Sequence, residues 1–259
     1  MRICDIDIST VRKWQNELIS HENGYAPTYL KTVHNQLSAI FNFAVKYYKL
    51  PSNPASACGS MGKKKAESMQ FWTKEEFDSF IKCVSDKPLS KVVFHLFFYS
   101  GMREGELLAL TLNDFDFDNN TVSITKNYAR LGYEEIIQAP KTPKSKRTIT
   151  LPAEIMEMVK EYSSMLYDYK PTDRLFLTSK QSLTREMIRG CTASGVKRIR
   201  IHDLRHSHAS LLIELGFAPL LISERLGHEN IETTLNTYSH LYPNKHGEVA
   251  EILSKLIQN

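Results

Sequence analysis

Apolar side chains recur at three- and four-residue steps through Leu30, Val33, Leu37, Ile40, Phe41, Ala44, Val45 and Tyr48. That period predicts an amphipathic helix opened by Pro27-Thr28 and stopped by Pro51 and Pro54. Ahead of it, Val11, Trp14 and Leu18 mark a shorter helix, with Ser9 as its expected cap. Thr73-Lys74-Glu75-Glu76 then has the form of a capping box, followed by Phe77, Phe80, Ile81 and Val84 on one helix face. Val92 to Tyr99 is apolar all round and predicts a buried helix. Asp114 to Asp118 alternates, Asn119-Asn120 can turn, and Thr121 to Ile124 returns, which predicts a β-hairpin. Arg147 to Leu151 alternates as well and ends at Pro152. The rest is helical, closing with Val249, Ile252, Leu253 and Leu256 on one side of a last helix. The expected fold is mainly α with a small antiparallel β-sheet, preceded by a small all-helical domain.

Composition places the boundary between the two parts. Cys58 to Gln70 holds two glycines, two serines, three consecutive lysines and little to bury, so it reads as a linker. The expected domains are residues 1–58, a linker at 59–70, and residues 71–259. Residues 1–70 carry nine Lys/Arg against five Asp/Glu, whereas residues 71–259 carry equal numbers. The whole net charge of +4 therefore sits in the small N-terminal part. A mildly basic chain permits an anionic partner without requiring one. No apolar run reaches the roughly 18–20 residues that span a bilayer, and His95 interrupts the longest. The start lacks a signal-peptide profile. Cys4, Cys58, Cys83 and Cys191 are widely spaced without a CxxC pair, as expected for the free thiols of a cytoplasmic protein.

Four segments carry candidate chemistry. In Ser100-Gly101-Met102-Arg103-Glu104-Gly105-Glu106, an arginine opens a helix just after a buried one, where a guanidinium can hold a phosphate on two oxygens. Taken alone, such an arginine is more often a solvated surface residue. The segment Pro140 to Arg147 puts Lys141, Lys144, Lys146 and Arg147 in one expected connection, either a soluble loop or a mobile cationic one. In His202-Asp203-Leu204-Arg205-His206-Ser207-His208, His202 and Arg205 share a helix face, with Arg198 and Arg200 just upstream. No acidic or cysteine residues recur at metal-ligand spacing, so no metal or other cofactor is expected. Finally, Leu226-Gly227-His228 is followed by Tyr238. Two arginines, a lysine, two histidines and a tyrosine together suit attack on a phosphodiester. Arginines neutralise the developing charge, histidines move protons, and the phenol is the nucleophile.

The order G-x-R-x-x-E-L, P-K-T, R-T-I-x-L-P, H-D-L-R-H-S-H-A-S, L-G-H and T-x-x-x-Y resembles the catalytic domain of tyrosine recombinases, specifically phage and conjugative-transposon integrases. The resemblance covers about residues 70–245. Phe43-Ala44-Val45-Lys46 and Asn53-Pro54 resemble the end of that family's SAM-like core-binding domain. Carried onto this sequence, the resemblance implies that Arg103 and Arg205 clamp the scissile phosphate. His202 would accept a proton or a hydrogen bond, His228 would donate to the phosphate, and Tyr238 would attack it. Lys141 best matches the lysine that protonates the departing 5′-oxygen, with Lys144 and Lys146 in the same loop. Glu106 would orient a neighbour. Lys63, Lys64, Lys65, Lys144, Lys146, Arg198 and Arg200 are candidate contacts to double-stranded DNA. The resemblance further implies a homotetramer on DNA attachment sites, an excisionase or host DNA-bending partner, and a last helix that docks onto a neighbouring protomer. The chain starts inside the core-binding domain, so an N-terminal truncation is expected. Alternative readings are a Xer-like resolvase with the same residues and a DNA-binding module that no longer cuts.

Overall fold

The computed structural model describes residues 1–22, 24–63, 69–140, 142–242 and Ser254. The chain divides into two compact units, Met1–Met69 and Gln70–Asn259.

In the first unit a 3-10 turn, Ile3–Asp5, precedes α1 (Ile8–Ile19), α2 (Pro27–Tyr48) and α3 (Pro54–Cys58). Asp7, not Ser9, caps α1: its carboxylate accepts from the Thr10 backbone N–H at 2.8 Å, and the Ser9 hydroxyl donates to the same carboxylate. A carboxylate gains from the helix dipole where a hydroxyl does not. Pro27 occupies the first turn of α2, where its missing N–H costs nothing. The helix ends at Lys49 in the left-handed region. Pro54, expected only to stop α2, also opens α3, capped by Asn53 through the Ser56 N–H at 3.0 Å. Val11, Phe41, Ala55 and Cys58 form the buried centre, with Ile6, Trp14, Leu37 and Leu50 packed against it.

The stretch expected to be a linker from residue 59 begins with contacts inside this unit. Gln15 donates to the Gly59 carbonyl at 2.8 Å, and the Lys63 N–H donates to the Pro27 carbonyl at 3.0 Å. Gly62 lies at φ 74°, where a Cβ would come within 2.1 Å of the Pro27 oxygen, so glycine is required there. Lys63 is exposed. Lys64 and Lys65 lie outside the described residues.

In the second unit the chain runs through α4 (Lys74–Lys82), α5 (Pro88–Ser100), α6 (Glu104–Leu108), β1 (Phe115–Asp116), β2 (Thr121–Ile124), β3 (Asn127–Leu131), β4 (Glu134–Gln138), β5 (Arg147–Thr150), α7 (Ala153–Ser164), α8 (Lys180–Ser194), α9 (Asp203–Glu214), α10 (Pro219–Leu226) and α11 (Ile231–Tyr238). The Thr73/Glu76 box closes reciprocally at the start of α4. α5 is buried on most sides, packs against α4, α7 and α9, and forms the axis of the core. Trp72 is buried beside it. Its indole donates to the Lys197 carbonyl and its backbone N–H to the Ser207 hydroxyl.

Two antiparallel sheets flank the helices, β1-β2-β5 and β3-β4. The expected β1–β2 hairpin is present, with Asn120 at positive φ in its turn. β1 is short because Asp114 is drawn into a 3-10 turn, where it accepts from the Thr111 N–H and hydroxyl and pairs with Lys126. β5 lies on β2 in the register Val122↔Ile149. The lysine-rich loop does not connect β2 to β5 directly, because the β3–β4 hairpin intervenes and residues 139–146 join β4 to β5. The stripe Val249, Ile252, Leu253 and Leu256 lies outside the described residues. Among the described residues no helix is long and apolar enough to cross a membrane.

α8 packs against α4 at a glycine. A Cβ on Gly190 would sit 2.3 Å from a Phe80 ring carbon and 2.6 Å from a Val84 methyl, both in the core. Gly190→Val is therefore expected to force the helices apart at a cost of about 2 kcal/mol or more. A thermal melt should show this as a drop of several degrees, and an unchanged melting temperature would contradict the close approach.

Candidate active site

The site is built where several helices end. α5 stops at Gly101, which is left-handed at φ 64°, and a Cβ there would press on the His208 ring and on Leu226 at 2.7 Å. The turn delivers Arg103 to the N-cap of α6. Three residues on, Glu106 is 3% exposed and receives both the Arg103 backbone N–H (2.9 Å) and its guanidinium (2.7 Å). Arg147, at the start of β5, forks onto the same carboxylate at 2.9 and 3.2 Å and donates through Nε to the Arg225 carbonyl. Burial pushes the Glu106 carboxyl up, but Arg147 and Arg103 outweigh it and hold the group below its usual range.

Arg205, one turn into α9, is buried. Its guanidinium donates to the Gly101 carbonyl at 2.7 Å and to the Leu226 carbonyl at 2.6 Å, tying the ends of α5 and α10 together. Burial, with the charges of Arg103 and Arg147, pulls it down to about 9. α10 ends at Gly227, also left-handed, and a Cβ there would come within 2.9 Å of the Arg147 guanidinium. The chain then turns so that His228 faces Thr234 on α11, with Nδ1 2.7 Å from the hydroxyl. Burial and the charges of Arg205, Arg103 and Arg147 press His228 down to about 3, so its ring is neutral.

Tyr238 is the last residue of α11 and is 1% exposed. Burial raises its phenol to about 12, against the pull of Arg205. Its hydroxyl lies 2.7 Å from His206 Nδ1. His206 is pushed down to about 4 by burial and by His202. His202 stands at the start of α9 and meets the His206 ring edge-on at 5.4 Å. Partial burial and Arg205 lower its pKa too. A cleft opens beside this cluster, lined by Arg103, Glu106, Asn127, Thr142, Gly227 and His228.

Five expected residues, Arg103, His202, Arg205, His228 and Tyr238, thus converge from three separated segments. Lys141 lies outside the described residues. Its loop neighbour Lys144 reaches the Glu229 carbonyl at 2.8 Å, next to His228, and Lys146 is exposed on the wall of an adjoining cavity with Arg147 and His228. Arg198 and Arg200 are exposed, and Arg200 is bound bidentately by Asp203. The site also contains residues not singled out beforehand. His206 and Thr234 each stand inside a motif that was recognised, and Arg147, expected only as one cation of the loop, is buried against Glu106 instead. Arg225 gave none: it donates to His208 Nε2 and to the Thr150 and Tyr99 carbonyls. Among the described residues no cluster of His, Cys, Asp or Glu could hold a metal ion.

Residues 70–245 match the phage integrase family. The ICEBs1 integrase of Bacillus subtilis is 30% identical over 91% of this chain and 68% of its own length. A XerC-like tyrosine recombinase of Caldanaerobacter subterraneus subsp. tengcongensis is 28% identical over 99% of this chain and 73% of its own. The Tn1549 transposon integrase, solved with a circular intermediate DNA, shares the fold with a TM-score of 0.79 at 20% identity, covering 98% of this chain and 86% of that one. A family match over residues 70–245, most of the chain, together with a 30% identical relative covered over two thirds of its length, means that the chain belongs to the phage integrase family of tyrosine recombinases.

Proposed function

We propose that this protein is a site-specific DNA recombinase that cleaves and rejoins duplex DNA through a 3′-phosphotyrosine, integrating or excising a mobile element. The observation that carries this reading is electrostatic. Arg103 and Arg147 share the buried Glu106 carboxylate, and Arg205 and the half-buried Arg225 add two further guanidinium groups on which the charge of Arg147 acts. Arg205 and Arg225 end on backbone carbonyls instead of acids. Such a cluster fits an anion, and a buried tyrosine stands within reach of its field. The relatives named above, two integrases and a XerC-like tyrosine recombinase, are DNA-recombining enzymes, which agrees with this reading.

In this mechanism Arg103 and Arg205 hold the nonbridging oxygens and stabilise the charge of the transition state. His228 donates a hydrogen bond to the phosphate from Nε2. That tautomer requires the Thr234 hydroxyl to donate to Nδ1, which the 2.7 Å contact permits. Tyr238 attacks phosphorus, and Lys141 protonates the 5′-oxygen as it leaves. The bond energy is kept in the phosphotyrosine, so rejoining needs no nucleotide. Four protomers act on two duplexes, with an excisionase or a DNA-bending protein setting direction. The first unit and its lysines add phosphate contacts, so affinity falls steeply with salt.

Tyr238→Phe is expected to abolish the covalent protein–DNA adduct on a nicked suicide substrate while leaving DNA binding within a few-fold, as read by gel shift. An undiminished adduct would sink the assignment. Arg205→Lys should slow adduct formation by about 100-fold or more, because an ammonium cannot fork onto two carbonyls and a phosphate as a guanidinium does. Full activity in that variant would remove the clamp. Lys141→Ala should block cleavage of ordinary DNA but cut a substrate whose bridging 5′-oxygen is sulfur, since a thiolate leaves without a proton. If Lys144→Ala shows that rescue instead, the general acid sits three residues further along the loop.

A further inference from the structure

A buried phenol at neutral pH carries its proton, and the proton must go somewhere when the oxygen attacks. Tyr238 is nine-tenths or more enclosed, and the side chain within hydrogen-bond reach of its hydroxyl is His206, at 2.7 Å through Nδ1. His202, to which the family resemblance gives the accepting role, makes its ring contact with His206. Resting on the phosphotyrosine reading above, we propose that His206 takes the Tyr238 proton during attack, and that His202 supports the His206 ring.

The step balances. The Tyr238 O–H bond breaks, its proton passes to His206 Nδ1, and the phenolic oxygen forms the bond to phosphorus. The bond from phosphorus to the 5′-oxygen breaks, and that oxygen leaves as a hydroxyl with a proton from a separate donor. Rejoining reverses both transfers, and the His206 imidazolium returns its proton to Tyr238.

The surroundings prepare His206 for this role. Burial and His202 keep it neutral at rest, so the Nδ1 lone pair is free to accept. Accepting from Tyr238 fixes the Nε2–H tautomer. Asp203, buried in the first turn of α9, favours the imidazolium, whereas Arg205 and Arg200 oppose it. A phosphodiester held by Arg205 would offset that opposition, so the base strengthens when substrate is in place.

The test compares His206→Ala, His206→Asn and His202→Ala in single-turnover adduct formation on a nicked duplex carrying an attachment site selected from random DNA. Thermal melts run alongside. An asparagine oxygen can still accept the Tyr238 hydrogen bond but cannot carry its proton. If His206 is the proton acceptor, both His206 variants slow by about 100-fold or more. Free imidazole then restores part of the rate to His206→Ala, and a 5′-thio substrate rescues neither. An asparagine variant within a few-fold of the parent would reduce the contact to orientation and overturn the proposal. So would imidazole rescue of His202→Ala without rescue of His206→Ala. Should His206→Ala melt early, the asparagine variant carries the comparison. Absence of any adduct with the unsubstituted protein would instead refute the phosphotyrosine reading itself, and with it this step.

Discussion

Glu106 receives guanidinium hydrogen bonds from Arg103, which starts the helix carrying Glu106, and from Arg147, which starts β5. Through the Arg147 Nε bond to the Arg225 carbonyl, the same carboxylate is coupled to the end of α10. Three elements far apart in sequence are therefore registered on one buried charge. Removing one partner of such a group leaves others charged and unpaired in a medium that solvates them poorly, at a cost of about 3–5 kcal/mol. Glu106 touches no expected reacting atom. Its role follows from position: without it, Arg103 loses the partner that sets its direction, and Arg147 loses the one that keeps it inside.

The remaining positive charge is held differently, and the difference matters for function. Arg205 donates to carbonyls at helix ends, and Arg225 to two carbonyls and the His208 ring, none of them an acid. The C-terminal end of a helix carries partial negative charge, enough to orient a guanidinium without cancelling it. The two glycines that end α5 and α10 make this possible. At Gly101 and Gly227 a left-handed turn exposes the last carbonyls, and neither position has room for a Cβ. Burial, together with the surplus of positive charge in the cluster, depresses Arg205 and the nearby histidines. A bound phosphate relieves that repulsion, so DNA binding stabilises the site by the same terms that destabilise it when empty.

Much of this was legible in the sequence, and the reasons differ by element. Capping residues and strong periodicity mark α2, α4 and α5 because burial on one or all faces imposes them. The β3–β4 hairpin escaped because most of its side chains are exposed, leaving no alternation of apolar and polar positions to read. Its sole local sign was Gly132 at positive φ in the turn. Asp7 displaced Ser9 as a cap because both stand at the helix start and the carboxylate competes better there. At the site, the motifs gave Arg103, Arg205, His228 and Tyr238 by type. They could not give burial, which turns Arg205 from a surface cation into a bridge between helix ends. Arg225 had no signal at all, since its partners are the His208 ring and two backbone carbonyls, all on other elements.

Burial also bears on the order of events in the proposed reaction. Tyr238 is enclosed and pushed up to about 12, so the phenolate is scarce at rest, and in the proposed reaction the nucleophile would have to be made as attack occurs. Arg205 favours the phenolate, but the same charge disfavours a proton on His206. In the empty site these effects oppose each other, and the proton stays on the tyrosine. An anion beside Arg205 changes the balance, because it stabilises a neighbouring imidazolium while the arginines hold phosphorus in place for attack. In the proposed reaction, then, the phenol gives up its proton once a phosphate lies beside Arg205, and the packing that raised its pKa holds that proton in place until then.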